Sequence, residues 1–343
     1  MAYALPGLPK AELHLHLEGA IRPLTVLDLA REHGVDLPFR DLEEIERALD
    51  FKTFLQFLAA FQQVNRCLTR PADFERIARE LVEDLVAQDV CYAEIRYAPM
   101  HPMRRGMTFD DVTAAVIAGL LQGQREHPNI ALALICGLTR QWDCTAAAGS
   151  AMGWAGRGLD AIDIGGDEAG FPAEQFAGLY RDALAAGLQV TAHAGEAAGP
   201  ESVWAAIRLL GVKRIGHGVR SVEDPKLLTV LRAEDVTLEV CPTSNVRTGV
   251  VASYEEHPLR RLWDAGVRVT ISSDDPAMFR TSISQEYEVA RQAFGFDEAE
   301  LLHATRNAIE AGFCSEETKR ALLHDLALPA RGGRVMLGRE AAP

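Results

Sequence analysis

Short apolar runs rich in Val, Ile, Leu and Ala recur along the chain at fairly regular intervals, and most are followed by segments with helical spacing. We predict strands at 10–17, 91–98, 130–138, 159–166, 188–193, 213–219, 236–241 and 267–273. Strands that alternate with helices imply a parallel sheet that is covered on both faces. Eight such repeats, each nearly continuously apolar, favour an α/β fold closed into a (β/α)₈ TIM barrel over an open sheet.

The clearest helical segment is 72–89, where the apolar residues fall on one face at a period of 3.6. Another helix is predicted to begin near Pro23 and to end at Gly34. We predict further helices at 174–186, 200–210, 224–233, 257–265 and 284–293.

The stretch 20–90 is too long for one crossover helix, so we predict an inserted helical segment between strands 1 and 2. One amphipathic element in it carries aromatic side chains that we expect mostly in the core, with a minority covering the pocket. They belong to Phe51, Phe54, Phe57 and Phe61. Two extra C-terminal helices are predicted within 297–326, followed by a poorly ordered tail at 327–343. We predict a single domain over 1–343.

Composition narrows the possible partners. The length of 343 residues suits one barrel with insertions, although two ordinary domains would also fit. A formal net charge of −14 argues against nucleic acid and anionic membranes as partners, but not against a neutral small molecule. The six cysteines are scattered without a CxxC pair, and no signal peptide or membrane-spanning run is visible. We therefore expect a cytoplasmic protein; no pattern indicates its oligomeric state.

Histidines mark the ends of three predicted strands. His14 and His16 share one face of strand 1 because side chains alternate, and that spacing suits one metal ion. His193 closes strand 5, and the turn allowed at Gly195 could bring Glu196 back over the barrel mouth. Core histidines and a solvated loop glutamate are the alternatives.

His217 lies between two glycines at the end of strand 6, and Asp274 and Asp275 end strand 8. Adjacent carboxylates in an extended segment point in opposite directions, which suggests one metal ligand and one substrate contact. A helix cap or a turn is the alternative for this Asp-Asp-Pro sequence.

Taken together, these motifs lie at the C-terminal ends of strands 1, 5, 6 and 8, the face where barrel enzymes keep their active sites. Imidazole and carboxylate ligands with one open coordination position favour metal-assisted hydrolysis. No lysine ends strand 4, so a lysine that bridges two metals is unavailable, and a mononuclear site is favoured.

The motifs resemble those of the adenosine deaminase family, a branch of the metal-dependent amidohydrolase barrels, and they follow the family order over roughly 5–325. The matching segments are 10–19, 193–196, 214–218, 239–242 and 273–276. A further segment, 165–168, resembles the purine-contacting turn of that family.

The resemblance implies a role for each matched residue. One Zn²⁺ would be held by His14, His16, His193 and Asp274. Glu196 would donate a proton to purine N1, and His217 would orient and deprotonate the attacking water, so that Glu196, His217 and Asp274 form the catalytic set. Substrate would be contacted by His16, by Glu18 near the ribose 5′-hydroxyl, by the Gly166 N–H at N3 and by Asp275 at N7.

The implied reaction is hydrolytic deamination of adenosine, and of deoxyadenosine, to inosine with release of ammonia. Vertebrate-type adenosine enzymes have Asp at the position of Glu18, whereas adenine deaminases of the family have Glu. The alternative substrates are therefore adenine or a modified 6-aminopurine nucleoside such as aminodeoxyfutalosine. Similarity of 279–287 to bacterial adenosine-type members favours the nucleoside. A different hydrolase on this barrel, or a metal-binding protein without activity, is a further alternative.

Overall fold

The computed structural model describes residues 5–51 and 53–327, and within them it has an α/β fold with nine parallel strands in two sheets. The first sheet has the order β1-β2-β3-β4-β5, and the second has the order β6-β7-β8-β9. The strands are β1 Lys10–His16, β2 Val90–Tyr97, β3 Ala131–Thr139, β4 Ala161–Gly165, β5 Gln189–Val190, β6 Ala192–Ala194, β7 Arg214–His217, β8 Thr237–Val240 and β9 Arg268–Ile271.

The helices fill the connections between the strands and follow the last one. They are α1 Pro23–His33, α2 Leu42–Ala48, α3 Phe54–Asn65, α4 Pro71–Val86, α5 Met100–Met103, α6 Phe109–Glu126, α7 Thr145–Met152, α8 Ala177–Ala185, α9 Pro200–Ala205, α10 Pro225–Ala233, α11 Pro242–Arg247, α12 Leu259–Asp264, α13 Pro276–Phe279, α14 Ile283–Phe294, α15 Glu298–Ala311 and α16 Glu316–Ala327. Among the described residues, none of these helices is long and apolar enough to cross a bilayer.

The predicted fifth strand, 188–193, is wrong as a single strand because the chain changes partner at Thr191. Before this residue β5 pairs with β4, and after it β6 pairs with β7. The Thr191 N–H donates to Ile162 O in β4, and its hydroxyl donates to Arg214 O in β7. This one residue is therefore hydrogen-bonded to a strand of each sheet. The other predicted strands lie within two residues of the observed ones.

Helices α1 to α4 lie between the first two strands, and α15 and α16 follow the last strand. The predicted helix 174–186 is a 3₁₀ turn followed by α8, and the predicted helix 200–210 is α9 continued by a π-helix at Ala206–Leu210. The predicted tail falls outside the described residues from 328 onward, and so does the side chain of Phe54.

Helix α6 is a long element that the hydrophobic pattern did not predict. Its Gly119 and Gly123 each lower helix propensity by about 1 kcal/mol relative to alanine. Both face α4: a Cβ at Gly119 would lie 2.2 Å from Glu75 O, and one at Gly123 would lie 2.6 Å from Val82 Cβ. The glycines therefore let α6 pack directly on the backbone of α4.

The segment that follows the last strand, β9, is hydrogen-bonded to the first strand, β1. His16 N–H donates to Asp274 O at 2.8 Å, and Asp274 N–H donates to His14 O at 3.0 Å. These bonds hold the segment that follows β9 beside the C-terminal end of β1. The side chains of both segments consequently project into the same space.

Candidate active site

Four histidines and two aspartates meet at the C-terminal ends of the strands. His14 and His16 come from β1, His193 from β6, and His217 ends β7. His217 and Asp274 have positive φ angles of 62° and 66°, which are uncommon for residues other than glycine. Such conformations concentrate at functional sites, where the surrounding structure holds the strain.

The structure brings together the side chains that were predicted to hold the metal. One ligand atom from each of His14, His16, His193 and Asp274 lies within 4.8 Å of the others. The Nε2 atoms of His14 and His16 are 3.4 Å apart, and Asp274 Oδ1 lies 3.4 Å from the first and 3.3 Å from the second.

The carboxylate contacts behind the cluster fit a cation at its centre. His14 Nδ1 lies 2.9 Å from Glu239 Oε2, and His193 Nδ1 lies 2.9 Å from Asp163 Oδ2. A carboxylate at Nδ1 accepts a hydrogen bond from the ring N–H there, so the proton of the neutral ring lies on Nδ1 and Nε2 has a bare lone pair. The lone pair of His14 then faces the Asp274 carboxylate with no proton between them. A cation resolves this contact, and histidine with carboxylate is a ligand set that Zn²⁺ takes.

Buried arginine keeps both carboxylates charged. Arg96 donates to Asp163 Oδ2 at 2.6 Å and to Glu239 Oε2 at 2.5 Å. Burial alone would raise the pKa of Glu239, but Arg96 and Arg214 outweigh it and hold that pKa well below its usual range. The pKa of Asp163 is also lowered, because His193 and Arg96 outweigh its burial.

Glu196 follows β6 after a tight turn. Gly195 has φ +67°, and a Cβ there would lie 2.5 Å from Val203 Cγ2, so glycine is needed at this turn. The turn directs Glu196 into the site, with Oε2 3.6 Å from His217 Nε2. Burial, and then the negative charge of Asp274, raises the pKa of Glu196 to about 8. The carboxyl group therefore carries a proton at neutral pH.

Glu168 holds the turn that carries Glu196. Its carboxylate accepts N–H bonds from Gly195 at 2.6 Å, Glu196 at 3.2 Å, Ala197 at 2.7 Å and Ala198 at 2.9 Å. Four consecutive donors on one buried carboxylate fix the backbone from which Glu196 projects.

Asp275 and Gly166, two of the predicted substrate contacts, line the cleft beside this cluster. Asp275 packs on Gly19, where a Cβ would overlap its carboxyl group, and burial and Asp274 raise the pKa of Asp275 well above its usual range. Gly166 has φ +101°, and a Cβ there would lie 2.4 Å from Gln141 Oε1. Both positions are thus shaped by close contacts.

Glu18 is placed differently from the other predicted substrate contacts. It is buried behind the wall of the cleft, where Oε1 accepts the Ala98 N–H at 2.8 Å, and the cleft is lined by Ala98 rather than by Glu18. Burial raises the pKa of Glu18 to about 7. Glu18 therefore reaches the cleft through the backbone of Ala98.

The cleft has a volume of about 920 Å³, including space open to solvent. One wall is aromatic: the rings of Phe57 and Phe279 stack with centroids 5.0 Å apart, and those of His101 and Trp142 meet edge to face at 4.7 Å. A polar cluster at the base of an apolar cleft is typical of sites for small organic molecules.

Several residues that support the site were given no role in the sequence analysis. Two of them, Glu168 and Glu239, stand in the matching segments 165–168 and 239–242; the others are Asp163, Ser244, Asn245 and His257. Asp163 and Glu239 could have been found, because each is a charged residue inside an otherwise apolar strand. The others lie in loops or helices, where a polar residue carries no comparable signal.

A histidine–aspartate metal site at the C-terminal ends of parallel strands is typical of metal-dependent hydrolases. Comparison with known proteins is more specific: the sequence model of the family described as "Adenosine deaminase" matches residues 9–328. An adenosine deaminase of Shewanella loihica is 37% identical over 323 residues, which cover 92% of this chain and 97% of that protein. The chain belongs to the adenosine deaminase family, which confirms the resemblance predicted from its motifs.

Solved structures agree with this assignment. The adenine deaminase of Arthrobacter aurescens superposes with a TM-score of 0.88 at 31% identity, covering 93% of this chain and 98% of that one. An amidohydrolase of Burkholderia ambifaria with bound Zn gives 0.85 at 31% identity, with 94% and 90% covered. Arabidopsis ADAL complexed with IMP gives 0.83 at 29% identity, with 93% and 96% covered.

Proposed function

We propose that this protein is a zinc-dependent adenosine deaminase, which hydrolyses adenosine and deoxyadenosine to the 6-oxopurine nucleoside and ammonia. The main support is the cluster of four side chains at the base of the cleft, whose ligand atoms lie within 4.8 Å of one another. They belong to His14, His16, His193 and Asp274. Membership of the adenosine deaminase family supports the same reaction.

One Zn²⁺ would be held by these four side chains. When bound, it supplies Lewis-acid chemistry that lowers the pKa of water from 15.7 to about 7. Glu239 and Asp163 orient the rings of His14 and His193 toward it through their Nδ1 atoms. A neighbouring structure with bound Zn supports the choice of metal.

Glu196 supplies the proton that purine N1 needs as water adds at C6. Its carboxyl group is protonated at neutral pH because its pKa is raised to about 8. The water oxygen then forms a bond to C6, N1 takes the proton of Glu196, and the C6–N6 bond breaks. One proton of the water leaves with the amino group as ammonia. The other proton returns to the Glu196 carboxylate, so the acid form of Glu196 is restored and the ring is left as the 6-oxopurine.

Other cleft residues orient the substrate and the water. We assign Asp275 to purine N7 and the Gly166 N–H to N3, since both line the cleft. The family resemblance gives His217 the role of orienting and deprotonating the water. That role depends on which nitrogen of the His217 ring carries the proton.

Adenosine is the proposed substrate, with adenine or a modified 6-aminopurine nucleoside as the second candidate. The relative from Shewanella loihica is an adenosine deaminase, whereas the similar structure from Arthrobacter aurescens is an adenine deaminase. Glu18 does not line the cleft, whereas Ala98, whose N–H it accepts, does. We therefore propose that Glu18 acts on a bound ribose indirectly, by fixing the position of the Ala98 backbone.

An ammonia-release screen tests this choice. The purified protein, with zinc content measured, is assayed on adenine, adenosine, deoxyadenosine and larger 6-aminopurine nucleosides before and after chelation. We expect the highest kcat/KM with adenosine, no turnover after chelation, and recovery with Zn²⁺. A higher kcat/KM with adenine would favour the second candidate, and full activity of metal-free protein would contradict the metal site.

We further infer that the two sheets close into one (β/α)₈ barrel and that 1–343 is a single domain, in which α1 to α4 form an insertion. The bonds between β1 and Asp274, and the change of partner at Thr191, support closure on both sides. A cytoplasmic location is supported by the six free, buried cysteines. The charge of −14 supports a small-molecule partner rather than nucleic acid.

A further inference from the structure

A chain of three buried side chains leads away from the reacting face of His217. His217 Nδ1 lies 3.2 Å from Asn245 Nδ2, and Asn245 Oδ1 lies 3.1 Å from His257 Nε2. All three residues are at most 4% exposed. Water therefore does not compete for these hydrogen bonds. Each nitrogen must act as a donor where its partner can only accept, and as an acceptor where its partner can only donate.

A backbone group at the His257 end of this hydrogen-bond chain decides which atoms donate and which accept. The Leu259 N–H can only donate, and it donates to His257 Nδ1 at 3.1 Å. His257 Nδ1 is therefore bare, so its ring proton lies on Nε2. That N–H needs an acceptor, which orients the Asn245 amide with its oxygen toward His257. The Asn245 NH₂ group then donates to His217 Nδ1.

We propose that Asn245 and His257 are positioning residues that hold His217 in the tautomer with its proton on Nε2. A bare Nδ1 leaves the single proton of the neutral ring on the nitrogen that faces Glu196 Oε2 at 3.6 Å and Asp274 Oδ2 at 3.8 Å. This inference rests on the proposed deamination for its catalytic meaning, but the tautomer itself can be measured without turnover.

The consequence is a specific role for His217. With the proton on Nε2, His217 donates a hydrogen bond to the oxygen that adds to C6, and it does not accept a proton from that oxygen. This differs from the deprotonating role implied by the sequence resemblance. The same short helix, α11, also presents Ser244, whose hydroxyl donates to Asp274 Oδ2 at 2.6 Å. Two neighbouring residues of α11 thus orient two groups of the site.

Asn245→Asp is the substitution that separates positioning from packing. Aspartate keeps the shape of the side chain but can only accept at both ends. His217 must then place a proton on Nδ1. His257→Gln is a second variant, which removes the ring that orients the amide. His303→Gln is the matched control, because His303 is exposed and does not belong to the hydrogen-bonded set of His217, Asn245 and His257.

The experiment records two-bond ¹H–¹⁵N spectra of zinc-loaded, ¹⁵N-histidine-labelled protein, with the His217 signals assigned through His217→Gln. We expect the Nε2–H pattern in the unaltered protein and in His303→Gln, an Nδ1–H pattern in Asn245→Asp, and mixed tautomers in His257→Gln. We also expect kcat to fall by about 10–100-fold in both test variants, with KM nearly unchanged.

An Nδ1–H pattern in the unaltered protein, or an unchanged Nε2–H pattern in both variants, would overturn the proposal. If the tautomers behave as expected while no 6-aminopurine is deaminated, the positioning role stands and the proposed function fails. Deamination at full rate by a variant with Nδ1–H His217 would overturn the positioning role alone.

Discussion

Glu168→Ala removes the carboxylate that holds the turn of Glu196. This carboxylate accepts hydrogen bonds from four N–H groups. Those of Gly195 and Glu196 belong to buried residues, whereas Ala197 is exposed and Ala198 is half-buried. A buried donor left without a partner costs about 1–3 kcal/mol. The substitution should therefore lower the free energy of unfolding by about 2–6 kcal/mol.

The same substitution should reduce turnover more than binding. Glu196 would no longer be held in register with its target, and a displacement of about 1 Å can lower a rate by about 10². Urea unfolding measures the stability change, and steady-state kinetics on adenosine separate kcat from KM. Asp297→Ala is the matched control, because this exposed carboxylate lies outside the site and accepts a local bond from the Glu300 N–H. If the unfolding free energy and the kcat of Glu168→Ala equal those of the control, Glu168 does not hold the turn of Glu196.

Three further predictions concern the reacting groups. Glu196→Gln should keep its zinc and bind adenosine nearly normally, while kcat falls by at least about 10², because an amide cannot transfer the proton; little loss of kcat would make Glu196 a binding residue only. Asp274→Ala should lose both metal and activity, whereas Asp275→Ala should retain metal by elemental analysis and lose substrate binding; the reverse pattern would exchange their roles. Since the acid form of Glu196 is required and its pKa is about 8, kcat should stay level through neutral pH and fall about tenfold per unit above pH 8; a rate that rises there would contradict the assignment.

Strand positions could be predicted because strands buried on both faces appear as continuous apolar runs. The division at Thr191 could not, because it depends on hydrogen bonds to β4 and β7, which lie elsewhere in the sequence. Helix α6 was missed for a related reason. Its two glycines weaken the local helical signal, and their purpose appears only when α4 lies against them.

The residues that the structure brings together at the candidate site were predictable from their local patterns. His14 and His16 show strand alternation, and the glycine before Glu196 indicates the turn that the structure contains. Among the residues that orient them, those outside the strands gave no local signal for their roles. Glu168 binds the Gly195 N–H across 27 positions, and His257 reaches His217 only through Asn245. Such partners follow from the folded geometry, since their own sequence context is that of ordinary loops.

In the proposed reaction, water adds to C6 of adenosine and displaces ammonia. Turnover of adenosine by the zinc-loaded protein in H₂¹⁸O, followed by mass spectrometry of the nucleoside and an ammonia assay, tests it directly. We predict inosine with one ¹⁸O at C6 and an equal amount of ammonia. Product without ¹⁸O, or release of free base without ammonia, would contradict hydrolytic deamination.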